Sequence, residues 1–488
     1  MATGGNLRFW VDMTLECIRR DHTGTLSAGD QRGPFLTARA LGMALAALHD
    51  ANAIAGTGTP LLAVPVPAGL AGGNPIVAGA AACHQMLTRR YPKQAAMLQD
   101  AWLLWTALDP TAGTSVVEAA ARAFADGMHA LGAQDAAHAA FDAYQERAEA
   151  YRHIKPAAEP AQGYAGGIWG EANPLMTSRP HLDPPPGRVA PTTVDTSAHF
   201  LADFDKVAEK GIAVPNPLSP TRRTAEEEVI GIFWGYDGPP ELGTPPRLYM
   251  QVALGILDTV EATKPGALNL GEELRILAGL GIAMADAGIH AWFYKYSPLH
   301  MMWRPTVGIP GAVGGNGTPI PGWLPLGRPD TNNKQLSLTP NFPAYPSGHA
   351  TFGAAAFQLL RLALVEKKLA AFAPDGTDDI AFSFTSDEYD GRNTDPRSML
   401  PRPRIARRHD SLWQAIVENS VSRVYLGVHW EFDGITKKAH GTSAIFGVPA
   451  SPAELGRIGG VWLGAKIANA IAPALGIRPH TIAASKMA

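Results

Sequence analysis

Apolar residues recur at helical spacing through most of the chain. In the segment 34–54 (PFLTARALGMALAALHDANAI) they fall at i, i+3 and i+4, which places them on one face of a helix. The same pattern predicts further helices near 76–89, 94–108, 114–153, 246–265, 271–297, 350–371 and 410–427. Alternating runs that would indicate strands are short and few. The chain is therefore predicted to be mainly α-helical.

Three long segments between the predicted helices lack this periodicity. A stretch from Pro156 to about Pro191 is rich in proline and glycine, and each proline removes a backbone donor and restricts its predecessor. It is interpreted as an ordered excursion between two helical halves, with a flexible linker as the alternative. Two further loops cover 304–346 and the charged segment 373–409. The predicted regions are an N-terminal helical bundle (1–155), a proline- and glycine-rich connection (156–235) and a C-terminal helical bundle (236–488).

The composition is that of a folded chain without a strong charge bias. Of the 488 residues, 46% are hydrophobic and 17% are charged, and the net charge is −3. Nothing in this balance suggests nucleic acid or a membrane surface as a partner. Charged residues interrupt the N-terminal segment too often for a signal-peptide core, and no membrane-spanning segment is evident. A soluble protein of unknown compartment is expected, and any anion must be held by a local cluster of cations.

The segment PAYPSGHATFGAAAF combines a helix start with groups suited to an anion. Ser347 can cap the apolar helix that follows, and the N–H of Gly348 lies at the positive end of the helix dipole. Glycine also lets a ligand approach the backbone closely. A plain capped helix would explain the serine but not the adjoining His349. The segment is therefore a candidate anion-binding site.

Three basic residues could supply the positive charge. Lys295 and Arg304 lie in HAWFYKYSPLHMMWRP, and Arg423 lies in the apolar segment AIVENSVSRVYLGV. Taken singly, each is more often a surface charge. An unpaired arginine in an apolar helix is costly, however, which favours a function for Arg423. Arginine prefers bidentate contacts with oxygen, so the three together could hold one multiply charged anion.

His429 and Asp433 have the spacing of a histidine that is oriented by a carboxylate. One ring nitrogen would bond to the acid and leave the other aimed at a ligand. This HxxxD pattern is weak evidence when it stands alone.

Taken together, the three segments resemble the signature of the type 2 phosphatidic acid phosphatase and vanadium haloperoxidase superfamily. That signature is a lysine, six residues and Arg-Pro, then PSGH, then Ser-Arg, five residues, His, three residues and Asp. The second and third blocks match completely, whereas eight residues separate Lys295 from Arg304, with Pro298 between them. Closer resemblance to the vanadium chloroperoxidases extends over most of the chain, including FWGYDGPPELGTPPRLYMQ and NFPAYPSGHATFGAAAFQ. It implies a mainly α fold of two packed four-helix bundles, with the site in the C-terminal half.

The resemblance also implies a cofactor and a role for each matching residue. One vanadate would bind per chain, in a site that phosphate can also occupy. His429 would coordinate vanadium, Asp433 would orient it, His349 would help to deprotonate peroxide, and Asp237 matches a family acid that pairs with the arginine at position 423. The vanadate oxygens would be contacted by Lys295, Arg304, Ser347, Gly348 and Arg423.

Two aromatic residues match the halide side of chloroperoxidase sites. Phe342 stands where algal bromoperoxidases tend to have histidine, and Trp292 matches a tryptophan that flanks the same pocket. An apolar wall would desolvate a halide, although simple core packing is an equally good reading of either residue. The implied enzyme is a vanadium-dependent haloperoxidase. It would oxidise chloride and bromide with hydrogen peroxide to hypohalous acid, with a small organic acceptor.

The same residues could serve a different chemistry. In an acid phosphatase of this superfamily, His429 would attack phosphorus to form a phosphohistidine, with Asp433 orienting it and His349 protonating the leaving group. Such phosphatases are mostly shorter and are membrane-spanning or exported, which favours the haloperoxidase. A catalytically silent oxyanion-binding relative is a third possibility. The preferred halide, the acceptor and the oligomeric state stay open.

Overall fold

The computed structural model of the chain is built mainly from helices. It describes residues 7–27, 29–108, 115–140, 143–146, 151–186, 188–190, 193–194, 198–312, 317–333, 339–438 and 447–487. In the first half, α-helices run over Arg8–Asp21 (α1), Pro34–Ala55 (α2), Pro75–Arg90 (α3), Ala95–Leu108 (α4), Ser115–His129 (α5) and Asp135–His138 (α6). In the second half they run over Ala198–Lys210 (α7), Ala225–Phe233 (α8), Pro245–Thr263 (α9), Leu270–Tyr296 (α10), Pro305–Gly308 (α11), Gly348–Glu366 (α12), Leu412–Tyr425 (α13), Glu431–Gly434 (α14), Gly460–Ile471 (α15) and Pro479–Ala484 (α16).

Short elements complete the inventory of the described residues. Strands cover Arg188–Ala190 (β1), Thr193–Val194 (β2), Phe382–Asp390 (β3) and Arg404–His409 (β4), in the antiparallel pairs β1–β2 and β3–β4. Single turns of 3₁₀ helix cover Pro92–Gln94, Ala130–Gly132, Trp169–Glu171, Pro452–Glu454 and Ala472–Leu475.

The two halves form packed helical bundles that share one core, which confirms the predicted mainly α fold. Helices α1, α2, α3 and α5 pack together in the first half, and α9, α10, α12, α13 and α15 in the second. The halves meet where α2 crosses α10. The two helices pack closely there, since a Cβ on Gly42 would lie only 2.6 Å from the carbonyl oxygen of Gly281. By composition alone α10 could cross a membrane, but 94% of its most apolar window is buried inside the protein. It is the central core helix.

The long predicted helices are confirmed, because their start signals work locally as well as their apolar faces. Proline occupies the first turn of α2, α3 and α9, where its missing N–H has no helical partner to lose. At the start of α10, the side chain of Asn269 accepts the Glu272 N–H and the Glu272 side chain accepts the Asn269 N–H. This reciprocal cap fixes the first residue of the helix that carries Lys295.

The continuous helix predicted over 114–153 is wrong beyond the first turns. Helix α5 ends at His129, and only short helical turns follow among the described residues of that segment. Asp135 faces inward and bonds Arg39 and Arg90 at 3.1 and 2.9 Å. A Cβ at Gly132 would overlap Nη2 of Arg90, so the turn packs closely on this group. A buried ion pair between distant segments therefore overrides the helical pattern.

The described part of the proline-rich connection is packed rather than free. Asp286 on α10 accepts the backbone N–H groups of Leu175, Met176 and Thr177 at 2.6, 3.0 and 2.8 Å. One buried carboxylate thus pins the connection to the central helix. Helices α7 and α8 also fall within the region 156–235, which is less irregular than its composition suggests. The division of the chain at 155 and 235 stays a prediction.

The charged segment 373–409, expected to be a loop, contains the β3–β4 hairpin. Thr385 pairs with Ala406 in its antiparallel register. On the inward face of β3, the aromatic Phe382 and Phe384 are followed by the fully buried polar residues Ser386 and Glu388. The two polar residues interrupt the apolar alternation by which a strand is recognised.

Candidate active site

Helix α12 is capped at its N-terminus by Ser347, and a cavity lies next to this end of the helix. Ser347 has an extended backbone, and its Oγ accepts the Ala350 N–H at 3.4 Å. Its own N–H donates to the carbonyl oxygen of Asp433 at 2.7 Å, which ties this turn to α14. Gly348 follows and borders a cavity of about 170 Å³. The wall of this cavity includes Asp237, Phe342, Gly348, His349, Phe352 and His429.

The hydrogen bonds of His429 define which of its nitrogens carries a proton. Nδ1 lies 2.9 Å from Oδ2 of Asp433, which also accepts the Trp430 N–H at 2.9 Å. Nε2 lies 2.9 Å from Nη1 of Arg304, and a guanidinium can only donate. Nδ1 therefore holds the proton and Nε2 presents a lone pair. Burial, together with the nearby cations, lowers the pKa of His429 well below its usual value, so the ring is neutral.

Arg304 is fully buried and held by carbonyl oxygens. Nε donates to Phe342 O at 2.9 Å, and Nη1 donates to Val428 O at 2.8 Å as well as to His429. Nη2 has no hydrogen-bond partner among the described residues. Burial lowers the pKa of Arg304 to about 9. The guanidinium is thus fixed in direction, with one donor unused.

Arg423 projects from α13 toward the same place. Its Nη2 donates to Oδ1 and Oδ2 of Asp237 at 2.9 and 3.0 Å. Nε and Nη1 are buried and, within the part of the chain that the structure describes, have no partner. The acid at 237 therefore orients this arginine and leaves two N–H groups for something else.

His349 faces the cavity from the first turn of α12. Its Nε2 lies 2.6 Å from the carbonyl oxygen of Gly235, which can only accept, so Nε2 carries the proton and Nδ1 has the lone pair. Burial, and then the charge of Arg423, lower the pKa of His349 to about 3. The ring is neutral at ordinary pH and can act as a base through Nδ1.

Lys295 reaches the site from the last turn of α10 but does not open onto the cavity. Its Nζ donates to the carbonyl oxygens of Pro343, Ala344 and Pro346 at 2.9, 3.2 and 2.5 Å. These three bonds use all three of its protons. Burial lowers the pKa of Lys295 well below its usual value, and the charge of Arg304 adds to the effect.

The unusual spacing between Lys295 and Arg304 is accommodated by a loop. Helix α10 ends at Tyr296, and Arg304 is the residue immediately before α11. Arg304 binds Phe342 O, while Lys295 binds the carbonyl oxygen of Pro343. Both basic residues therefore bind the same backbone segment, which leads into α12. The two extra residues between Lys295 and Arg304 do not separate them.

The two aromatic residues predicted for the halide side lie together at different depths. Phe342 borders the cavity, whereas Trp292 lies behind it, fully buried, with 4.7 Å between the ring centroids. Lys295 Nζ lies 5.0 Å and Arg304 Cζ 5.1 Å from the centroid of Phe342. Phe342 is thus both an apolar wall and a neighbour of two cations.

The cavity also has wall residues that no sequence pattern indicated. His22, Arg32 and Pro34 come from the first half, and Arg328 comes from the long loop before α12. His22 donates through Nδ1 to Ile18 O at 2.9 Å, and Arg328 Nη1 donates to Asp237 O at 3.0 Å. The resemblance implies a site in the C-terminal half, whereas the cavity wall also takes residues from the first half. No periodic spacing links these residues to the motifs, so only the folded chain reveals them.

The chemistry of this donor set fits an oxyanion with several oxygens, such as vanadate or phosphate. Arg304 and Arg423 together direct three buried donor nitrogens that have no partner among the described residues. A buried donor without a partner costs about 1–3 kcal/mol, which a bound oxyanion would recover. The lone pair of His429 Nε2 is suited to a metal ion, and the cap at Gly348 to an oxygen. The residues therefore fit vanadate.

Fold and site together define a helical-bundle protein with a buried candidate oxyanion site. A family model described as the second helical-bundle domain of VCPO matches residues 275–444, the range that contains every predicted site residue except Asp237. The vanadium chloroperoxidase of Curvularia inaequalis is 31% identical over 490 residues, covering 87% of this chain and 78% of that protein. The chain therefore belongs to the vanadium-dependent haloperoxidase family.

Solved structures agree on the fold. The first bacterial vanadium-dependent iodoperoxidase superposes with a TM-score of 0.61 at 18% identity, covering 96% of this chain and 95% of that one. A bacterial vanadium-dependent chloroperoxidase in its holo form gives a TM-score of 0.59 at 12% identity, covering 95% of each chain. At these identities the comparison establishes the two-bundle architecture alone.

Proposed function

We propose that this chain is a haloperoxidase that holds one vanadate at His429 and oxidises chloride and bromide with hydrogen peroxide to hypohalous acid. The observation that carries the proposal is the set of guanidinium nitrogens on Arg304 and Arg423 that have no hydrogen-bond partner among the described residues. They lie beside His429, whose unprotonated nitrogen is Nε2, the nitrogen that accepts from Arg304 and is not bonded to Asp433. This combination suits an oxyanion whose central atom also accepts a nitrogen ligand.

The side chains divide the work of holding the cofactor. His429 would bind vanadium through Nε2, which requires Arg304 Nη1 to leave that nitrogen for an oxygen of the anion. Arg423, Ser347 and the N–H of Gly348 would contact the remaining oxygens. Vanadate held in this way supplies a Lewis acid that activates peroxide toward the halide. Phosphate has the same shape and charge and can occupy the same site.

Lys295 is proposed to contribute positive charge to the same anion. Because three carbonyl oxygens already bind its Nζ, contact with an oxyanion requires one of those bonds to be exchanged. Even without contact, a buried ammonium raises the positive potential of the site, since burial reduces dielectric screening.

His349 is proposed as the base that takes a proton from incoming peroxide. Its Nδ1 has the lone pair, its ring lies at the cavity, and its lowered pKa keeps it neutral. Phe342, with Trp292 behind it, would form the side of the cavity where the halide loses its water. A small organic acceptor would then be halogenated by the hypohalous acid.

Halogenation of monochlorodimedone by the purified protein tests the proposal. The reaction is run with peroxide, with and without orthovanadate, using chloride, bromide and iodide in parallel. Vanadate-dependent turnover with chloride and bromide is expected. Turnover with iodide alone would refute the halide assignment, and would match the activity for which the bacterial iodoperoxidase is named.

The acid phosphatase is the alternative, because a neutral His429 with a lone pair on Nε2 is also a competent nucleophile. Hydrolysis of p-nitrophenyl phosphate by the vanadate-free protein, inhibited by vanadate and without any halogenation, would make it the better assignment.

A further inference from the structure

The β3–β4 hairpin places a carboxylate directly behind the cavity wall. Glu388 on β3 is fully buried. Its Oε2 accepts hydrogen bonds from Arg402 Nη1 at 2.6 Å and from the hydroxyl of Thr331. Its Oε1 accepts the backbone N–H of Tyr236 at 3.1 Å. The carboxylate therefore links the hairpin to the segment that precedes Asp237.

That segment carries two groups of the active site. The carbonyl oxygen of Gly235 accepts the Nε2 proton of His349 at 2.6 Å. Asp237, two residues later, accepts both hydrogen bonds from Arg423. Tyr236, which lies between them, has a φ of 46°, a conformation that is costly for a residue with a large side chain. Neighbouring groups must hold this conformation in place.

Glu388 and His349 bind opposite sides of one peptide group. The carbonyl of Gly235 and the N–H of Tyr236 belong to the same planar trans unit, so they point in opposite directions. His349 donates to the carbonyl, and Glu388 accepts from the N–H. A carboxyl oxygen that accepts this N–H polarises the amide and strengthens its carbonyl as an acceptor. A Cβ on Gly235 would lie 2.8 Å from Glu388 Oε1, so the carboxylate packs directly on this backbone.

We infer that Glu388 is a positioning residue: through the Gly235–Tyr236 peptide it fixes the proton of His349 on Nε2 and holds Asp237 against Arg423. The charged hairpin thereby gains a function in the layer of groups that surrounds the site. The kinetic part of this inference rests on the proposed function. Its structural part, the placement of His349, does not.

Replacing Glu388 with glutamine, E388Q, tests the inference at constant size. An amide has a single carbonyl oxygen, so its NH₂ must face either the Tyr236 N–H or the Arg402–Thr331 side. Removing Arg402 in the double variant E388Q/R402M leaves the hydroxyl of Thr331 free to accept the NH₂. The side-chain carbonyl of the new glutamine can then accept the Tyr236 N–H again. The double variant should therefore recover part of what E388Q loses, namely the contact between His349 and Gly235 and the turnover that depends on it.

A substitution at the last residue of the same strand, D390N, is the matched control. Asp390 accepts the backbone N–H groups of Arg392 and Asn393 at 2.8 and 3.0 Å. None of its hydrogen bonds within the described residues reaches the Gly235–Asp237 segment. The D390N substitution is therefore expected to weaken the hairpin without altering the peptide that His349 binds.

Two measurements decide the matter, and the first needs no cofactor. In a crystal structure of the vanadate-free E388Q protein, His349 Nε2 should move from 2.6 Å to beyond about 3.5 Å from Gly235 O, outside hydrogen-bonding distance. In the loaded enzyme, kcat should fall about 10-fold or more, because a shift of about 1 Å can cost up to about 100-fold. The KM for halide should stay within about twofold, and D390N should leave both readouts unchanged.

The inference is overturned if the contact with Gly235 persists in E388Q, or if kcat falls no further than in D390N. If E388Q does not fold, E388D takes its place in both comparisons, because it keeps a carboxylate for Arg402 but is one methylene too short to reach the Tyr236 N–H as well. If the wild-type protein halogenates nothing, the proposed function fails, while the crystallographic distance still decides whether Glu388 positions His349.

Discussion

Gly348 provides a test in which stability and ligand binding should change in opposite directions. A Cβ at this position would meet Trp292 at 3.6 Å and Phe352 at 3.7 Å, which is ordinary van der Waals contact. The protein itself therefore does not require glycine here. If glycine is present to let an oxyanion approach the backbone, Gly348→Ala should fold normally and fail at binding.

The expected magnitudes follow from the same geometry. Alanine in place of glycine favours a helix by up to about 1 kcal/mol, so the free energy of unfolding should be unchanged or rise by that amount. A charge-assisted hydrogen bond from the Gly348 N–H to an oxyanion is worth about 1.5–3 kcal/mol. Its loss alone should weaken vanadate binding about 10- to 100-fold, and the methyl group occupies part of the cavity as well.

Isothermal titration calorimetry with orthovanadate, and separately with phosphate, measures the binding side, and chemical denaturation measures stability. Gly255→Ala is the matched control, because Gly255 lies within α9 and a Cβ there would meet nothing within 4 Å. It should stabilise by a similar amount and bind vanadate normally. Unchanged vanadate affinity in Gly348→Ala would refute the close approach of the oxyanion to the Gly348 backbone. A clear loss of stability would show instead that the glycine serves packing.

Three further predictions concern single side chains. His429→Ala should abolish stoichiometric vanadate binding, measured by equilibrium dialysis, and retained vanadium would exclude His429 as the metal ligand. Phe342→His should lower turnover with chloride more than with bromide, and equal losses would exclude a halide wall. His153 is fully buried with no partner for either ring nitrogen among the described residues, and burial lowers its pKa well below the usual value. As the pH falls, His153 is therefore protonated in the unfolded state before it is protonated in the folded state. The free energy of unfolding then falls by up to about 1.4 kcal/mol per pH unit below about pH 6.5. His153→Leu should reduce that slope between about pH 6 and 4 without a loss at about pH 7, and an unchanged slope would contradict this.

The sequence predicts those parts of the site that depend on residues close together in the chain. Ser347 and Gly348 are recognisable because helix capping depends on adjacent residues, and His429 and Asp433 because their spacing brings them onto one turn. The same holds for the long helices, whose apolar faces and start signals lie in contiguous sequence. These features need little knowledge of the rest of the fold.

What could not be predicted depends on contacts between distant segments. Arg32 and Arg328 border the cavity from opposite halves of the chain, and no spacing relates them. Glu388 belongs to a strand in which buried polar residues interrupt the apolar alternation, so the sequence predicts a charged loop there. The saturation of Lys295 by three carbonyl oxygens depends on the path of residues 343–346. Hydrogen bonds to backbone carbonyls leave no trace in side-chain patterns.

The arrangement of charge accounts for both the affinity and the protonation state of the site. Two acids, Asp237 and Asp433, lie beside three buried basic residues, and burial raises the pKa of Asp433 to about 7. Carbonyl oxygens hold Lys295 and Arg304 in place without neutralising them. The remaining positive potential favours an anion, and together with burial it lowers the pKa values of both histidines. In the proposed function, the basic residues that would attract the oxyanion therefore also keep one histidine neutral as a ligand and the other neutral as a base. Adding a carboxylate to the site would weaken both properties at once.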